Sequence, residues 1–144
     1  MNLNAMQKKI VGYIDGNFDK YLSQYGIKKP TVSTEFMDLD KFRGDFTLFV
    51  DFNRITFAKG KFADDCGGAM QLSVSFFLVY RNATTEKLRE TMLDGAGAFY
   101  ALMGECNVAG DVVVNELNNY NIVEGTKFIV ISEFQITFET EVSG

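Results

Sequence analysis

The residues of this sequence that could do chemistry sit in a few short stretches: "DLD" at Asp38 to Asp40, "ADDC" at Ala63 to Cys66, "AKGKF" at residues 58 to 62, and Cys106. Paired carboxylates could hold a divalent cation. Neither acidic stretch, however, has the ligand spacing of a calcium loop, and no second acidic motif stands at a fixed register to either. "AKGKF" lacks the preceding glycine and the following Ser/Thr of a phosphate loop. Cys66 follows Asp64 and Asp65, whose negative charge raises a thiol pKa and makes a poor nucleophile. Cys66 and Cys106 lie 40 residues apart, which suits neither a redox pair nor a zinc site, so both are expected as free thiols. The chain has no histidine, which removes the commonest general base and metal ligand. The expectation is therefore a protein that is not an enzyme, with no catalytic residue, no cofactor and no metal. Asn82-Ala83-Thr84 matches a glycosylation triplet, but without a secretion signal it reads as a chance match in a turn.

If the chemistry is absent, the work must be done by surfaces, and the elements decide which surfaces exist. A chain of 144 residues, 47% hydrophobic and 14% aromatic, can bury one core and is too short for two ordinary domains, so residues 1 to 144 are expected to form one domain. With a single proline there is no candidate linker, repeat or low-complexity tract. The first 22 residues are amphipathic and interrupted by Lys8, Lys9, Asp15 and Asp19. They suit neither a signal peptide nor a membrane span, and a soluble protein made in the cytoplasm is expected, with no membrane partner. A net charge of −5 without a Lys/Arg cluster argues against specific nucleic-acid binding.

Leu3, Met6, Ile10, Ile14, Phe18, Tyr21, Leu22 and Tyr25 recur at steps of three and four, predicting a first helix with Gly26 as its stop. Residues 27 to 45 read as a loop with one short extended piece near Val32 to Phe36. Phe46, Leu48, Val50 and Phe52 alternate with polar residues, and Ile55 and Phe57 continue one position out of phase, which a turn or bulge at Asn53-Arg54 explains. Residues 58 to 69 read as an exposed loop. Met70, Leu72, Val74, Phe76, Leu78 and Tyr80 then mark a long strand whose far end, with Phe77 and Val79, is apolar on both faces.

A second helix follows, capped by Thr84 or Thr85, with Glu86 in its first turn and Leu88, Met92, Ala96, Phe99, Leu102 and Met103 as its buried stripe. Inside it lies "GAGA", Gly95 to Ala98. Two helical glycines cost roughly 1 kcal/mol each against alanine. Close packing on the sheet, or close approach of a second subunit, could offset that cost. Val112 to Val114 read as a short strand, "NELNNYNIVEGT" as a turn, and residues 127 to 142 as a long terminal strand of roughly 50 Å. The fold class is thus α+β: a mostly antiparallel sheet with a long N-terminal helix and a second helix packed on it. A right-handed crossover through the second helix to a parallel neighbour is also expected.

Two segments, "QLSVSFFLVYRNATTEKLRETMLDGAGAFYALM" and "EGTKFIVISEFQITFETEV", together with the element order, resemble the tail terminator, or tail-completion, proteins of long-tailed bacteriophages. The resemblance covers nearly the whole chain through organisation and carries no fingerprint motif. It implies a structural virion component: a homo-oligomeric ring, usually hexameric, at the head-proximal end of the tail tube. Its partners would be the tube protein and the connector or neck protein. Ile129 and Ile131 make the first half of the terminal strand apolar on both faces. The distal half is expected to meet an adjacent subunit through Glu133, Gln135, Glu139 and Glu141, together with Gly95 and Gly97 of the second helix. The acidic excess suggests a channel that repels DNA phosphates. The other reading is a small ligand-binding or enzymatic α+β domain with a pocket between the second helix and the sheet.

Overall fold

A computed structural model of the chain describes residues 3–34, 46–59, 68–81, 85–105, 107–109, 112–124 and 129–142. Helix α1 (Leu3–Leu22) buries Met6, Ile10, Ile14, Phe18 and Leu22, a strict four-residue step that keeps one stripe on the core. A 3-10 turn, Ser23–Tyr25, closes it. Gly26 then takes φ 69° and donates its N–H to the Ser23 carbonyl at 3.1 Å, the left-handed stop that glycine adopts without steric cost. Tyr25, expected on the buried stripe, is exposed instead, because the 3-10 turn rotates it out of the helical phase.

The strands are β1 (Thr31–Ser33), β2 (Phe46–Lys59), β3 (Gly68–Arg81), β4 (Asn107–Ala109), β5 (Val112–Glu124) and β6 (Ile129–Val142), with α2 (Thr85–Gly104) between β3 and β4. They form one six-stranded sheet in the order β1-β2-β3-β6-β5-β4. The short β1 runs parallel to β2, and every other pair is antiparallel. This is the expected α+β architecture.

Both helices join the same core as one face of the sheet. Leu48 and Val50 of β2, the even-numbered residues from Met70 to Tyr80 of β3, and Phe134, Ile136 and Phe138 of β6 point into it. Phe99 of α2 is its hub, with ring centroids 5.5 Å from Phe18, 5.1 Å from Phe76 and 4.6 Å from Phe134, the range of edge-to-face and tilted aromatic pairs. Tyr13 ties the helices together by donating its hydroxyl to the Leu102 carbonyl at 2.8 Å. On the opposite face, helix-free among the described residues, Val79 and Ile131 are buried with Phe49 and Phe77 packed against them, so the end predicted to be apolar on both faces is so.

The phase slip in β2 is a bulge between Phe52 and Arg54. Asn53 holds it: with each end of its amide facing a complementary atom, the nitrogen donates to the Ser73 and Asp51 carbonyls at 2.9 and 3.0 Å, and the oxygen accepts from the Ser75 hydroxyl at 2.9 Å. The extra residue is thereby satisfied inside its own sheet.

Four expectations are corrected. The segment read as a turn after Val114 is the body of β5, which runs to Glu124. Its register shifts between Val114 and Glu116 and again between Leu117 and Asn119; each inserts one residue, so Val114, Leu117 and Tyr120 share a face at three-residue steps that hide the period of two. The loop expected over 58 to 69 is strand at both ends, since β2 continues to Lys59 and β3 begins at Gly68, and residues 60–67 lie outside the described residues. The crossover through α2 does not reach a parallel neighbour, because β3 lies between β2 and β6 and is antiparallel to both; the chain lands instead on the far edge as β4 and returns. Finally, the distal half of β6 does not leave the domain. Its partners on β3 run without a break from Arg81↔Ile129 to Gly68↔Val142, so the last strand is central and its backbone is satisfied within the chain.

Candidate functional site

The most distinctive surface lies where α2 meets β5. Leu93, Gly97 and Tyr100 fall at positions i, i+4 and i+7 of α2 and are all exposed, Tyr100 at 63% and Leu93 at 52%. Next to Tyr100, the side chains of Leu117 and Tyr120 on β5 are each 37% exposed. Tyr100, Leu117 and Tyr120 line, with Phe99, Met103 and Phe134, an apolar crevice of about 140 Å³. Tyr120 is held by a tilted ring contact with Phe134, centroids 4.7 Å apart, and by a 3.2 Å hydrogen bond between its hydroxyl and that of Ser132. The first bulge of β5 turns Leu117 to the helix side of the sheet, and the second restores the phase that places Tyr120 there as well.

The interface residues expected from the sequence divide between separate places. Gly95 is buried, and a β-carbon there would overlap the phenol oxygen of Tyr80. Its purpose is close packing of α2 on β3, which corrects the expectation that it meets a second subunit. Gly97 is exposed, and a β-carbon there would meet nothing within 4 Å. Glu133, Gln135 and Glu139 lie on the helix-free face, across the sheet from Gly97. Glu133 accepts from Gln135 at 3.1 Å and Glu139 from Gln71 at 3.2 Å, so both carboxylates have neutral local partners. The side chain of Glu141 lies outside the described residues, as do Asp38, Asp40, the "ADDC" stretch, Cys106, the Asn82 triplet, and Thr84, one of the two residues expected to cap the second helix.

A second opening, about 280 Å³, lies on the helix-free face between the bulges of β2 and β5. Arg54, Ser73, Ser75, Asn118, Gln135 and Thr137 line it, and Thr137 donates to Asn118 at 2.9 Å. Its polar lining is neutral hydroxyl and amide, and among the described residues its one charge is the exposed guanidinium of Arg54.

Among the described residues, no three His, Cys, Asp or Glu side chains converge on one point, and no helix is long and apolar enough to cross a membrane. Burial first, then the neighbouring Tyr120 and Asp94, push the Tyr80 phenol well above the ordinary tyrosine range. It lies in the core against α2 and faces neither opening. Sequence reasoning missed Leu117 and Tyr120, and the signal that could have found them was the apolar step of three from Val114 through Tyr120 in a segment that also holds Ile122 and Val123. Compared with known protein families the chain matches no family model, and among curated proteins none matches it in sequence.

Proposed function

We propose that this protein is a non-catalytic assembly component of a phage or phage-like tail, a terminator whose copies form a ring at the head-proximal end of the tail tube and join it to the connector. The observation that carries the reading is the exposed apolar stripe of α2 and β5, Leu93, Tyr100, Leu117 and Tyr120, gathered beside the open Gly97. Contiguous apolar surface of this kind marks a protein contact, and aromatic residues are the commonest anchors of such contacts. The order of elements, which resembles tail terminators, directs the reading to a ring, with the tube and connector proteins as further partners. The carboxylates of Glu133 and Glu139 share the helix-free face, which would be repellent to DNA phosphates if it lines a channel.

The test is electron microscopy of the purified protein mixed with isolated tail tubes. Rings capping one tube end are expected. A protein that leaves both ends bare would overturn the tail role.

The crevice between α2 and the sheet favours a second reading, a site for a small apolar ligand. Its volume of about 140 Å³ is smaller than the roughly 300 Å³ or more of ordinary ligand sites, which supports the assembly reading over this one. A crevice of that size suits one side chain of a partner.

A further inference from the structure

Among the described residues the sheet ends in two open edges that fit each other. On one side, β1 pairs with β2 only at Thr47, Leu48 and Phe49, and residues 50–59 have no outer strand among the described residues. On the other, β4 pairs with β5 only at Val112 and Val113, and residues 114–124 are likewise open. The two free stretches are nearly equal in length. They also run in opposite directions, because β2 opposes β3, β3 opposes β6 and β6 opposes β5. A copy set beside another in the same orientation therefore offers its β2 edge antiparallel to its neighbour's β5 edge, the geometry with well-aligned hydrogen bonds.

We propose that the β5 edge of one copy pairs with the β2 edge of the next, so that the sheet continues from subunit to subunit. This rests on the ring proposed above and names the contact that builds it. The placement of β1 and β4 sets the register. Each lies beside the start of its long neighbour, so an unshifted copy would set its β1 against the end of β5. A slide of four residues clears both short strands, brings 50–59 alongside 114–124 in full, and sets Ile55 opposite Tyr120. Both belong to the helix-side face, and they are 40% and 37% exposed, so pairing would bury apolar surface that the isolated chain leaves in water. Charge favours this occupant over a β5–β5 contact. Residues 114–124 carry Glu116 and Glu124 and no cation, whereas 50–59 carry Arg54 and Lys59 against Asp51, and like charges facing each other across strands are destabilising. Unlike edges make a head-to-tail contact, which closes into a ring where the rotation allows. Unpaired edges are also what sheet proteins ordinarily avoid exposing.

The experiment uses the full chain with one edge blocked at a time, Ile55→Lys on β2 and Leu117→Lys on β5, each checked for native circular dichroism and followed by light scattering. Wild type should form a closed oligomer and each variant alone a monomer. Mixing the two should give a dimer that grows no further, since only one competent pair of edges remains. Hydrogen exchange on wild type supplies a readout that needs no variant: outward amides of 50–59 and 114–124 should be protected in the oligomer and exchange freely on dilution to monomer. A wild-type monomer at the highest attainable concentration, either variant assembling as wild type does, a dimer of Ile55→Lys with itself, or unprotected edge amides in the oligomer would each overturn the edge contact. Rings that cap tail tubes yet ignore both substitutions would overturn this contact alone; edge-dependent rings that leave tubes bare would overturn the tail role alone.

Discussion

Gly95 of α2 stands so close to the phenol of Tyr80 on β3 that a β-carbon at position 95 would overlap the tyrosine oxygen. Two residues on, Gly97 faces open space. The same residue type in the same helix thus has opposite roles. Gly95→Ala should destabilise by about 1 to 3 kcal/mol through overpacking, and Tyr80→Phe should recover part of that loss by removing the oxygen in the way. Gly97→Ala should instead stabilise the monomer by about 0.5 to 1 kcal/mol through helix propensity. Urea unfolding of Gly95→Ala, of Gly95→Ala combined with Tyr80→Phe, and of Gly97→Ala measures all of this; equal costs at 95 and 97 would contradict the packing described.

The same phenol has a pH signature. Its oxygen is buried with no hydrogen-bond partner among the described residues, and burial holds its acidity far below that of a free tyrosine. The unfolded chain ionises Tyr80 near pH 10, while the folded chain keeps it neutral. The contribution is therefore fully present below about pH 10 and is lost as the pH rises beyond it, by at most about 1.4 kcal/mol per pH unit. Other tyrosines and lysines titrate there too, so the readout is the difference between wild type and Tyr80→Phe across pH 8 to 11. The gap should widen in favour of the phenylalanine variant above about pH 10.

Phe99 touches Phe18, Phe76 and Phe134, linking α1, α2, β3 and β6. Phe99→Ala should cost about 3 to 5 kcal/mol, as should Phe76→Ala and Phe134→Ala. Gln135→Ala, on an exposed side chain, should change stability by about 0.5 kcal/mol or less. Ser75→Ala falls between these, at about 1 kcal/mol, because the buried hydroxyl donates to the Asn53 amide that holds the β2 bulge. Denaturant midpoints rank the series, and a Ser75→Ala variant as costly as Phe99→Ala would point to a different organisation of the bulge.

Tyr100 is 63% exposed, so Tyr100→Glu should leave monomer stability within about 0.5 kcal/mol of wild type. If the α2 stripe is a contact surface, the same change should lower the mass of the assembly seen by light scattering or abolish capping of tail tubes. A variant with unaltered assembly and unaltered tube binding would remove this stripe from the interface.

How far the sequence reaches is visible in the elements. The step of four in Met6, Ile10, Ile14, Phe18 and Leu22 is enough to define α1 and its buried stripe. Alternation from Met70 to Tyr80 defines β3, and the out-of-phase Ile55 and Phe57 locate the bulge at Asn53. These are local patterns, set by side-chain direction along a single element. The same patterning is enough for the α+β class and for the end of the sheet where Val79 and Ile131 are buried away from the helices. Local pattern fails in β5, where two inserted residues turn a period of two into steps of three and make a 13-residue strand look like a turn.

Only the tertiary structure decided the rest, because strand neighbours are chosen by contacts far apart in sequence. Nothing in residues 129–142 alone says that β6 slots between β3 and β5, and its length suggested a reach toward a neighbour that its complete pairing with β3 removes. Nothing in "GAGA" distinguishes Gly95 from Gly97 until Tyr80 arrives from another element. The open edges of β2 and β5 follow from the same cause: an edge is defined by the strand that is missing beside it, and only the order of the assembled sheet shows which strands those are.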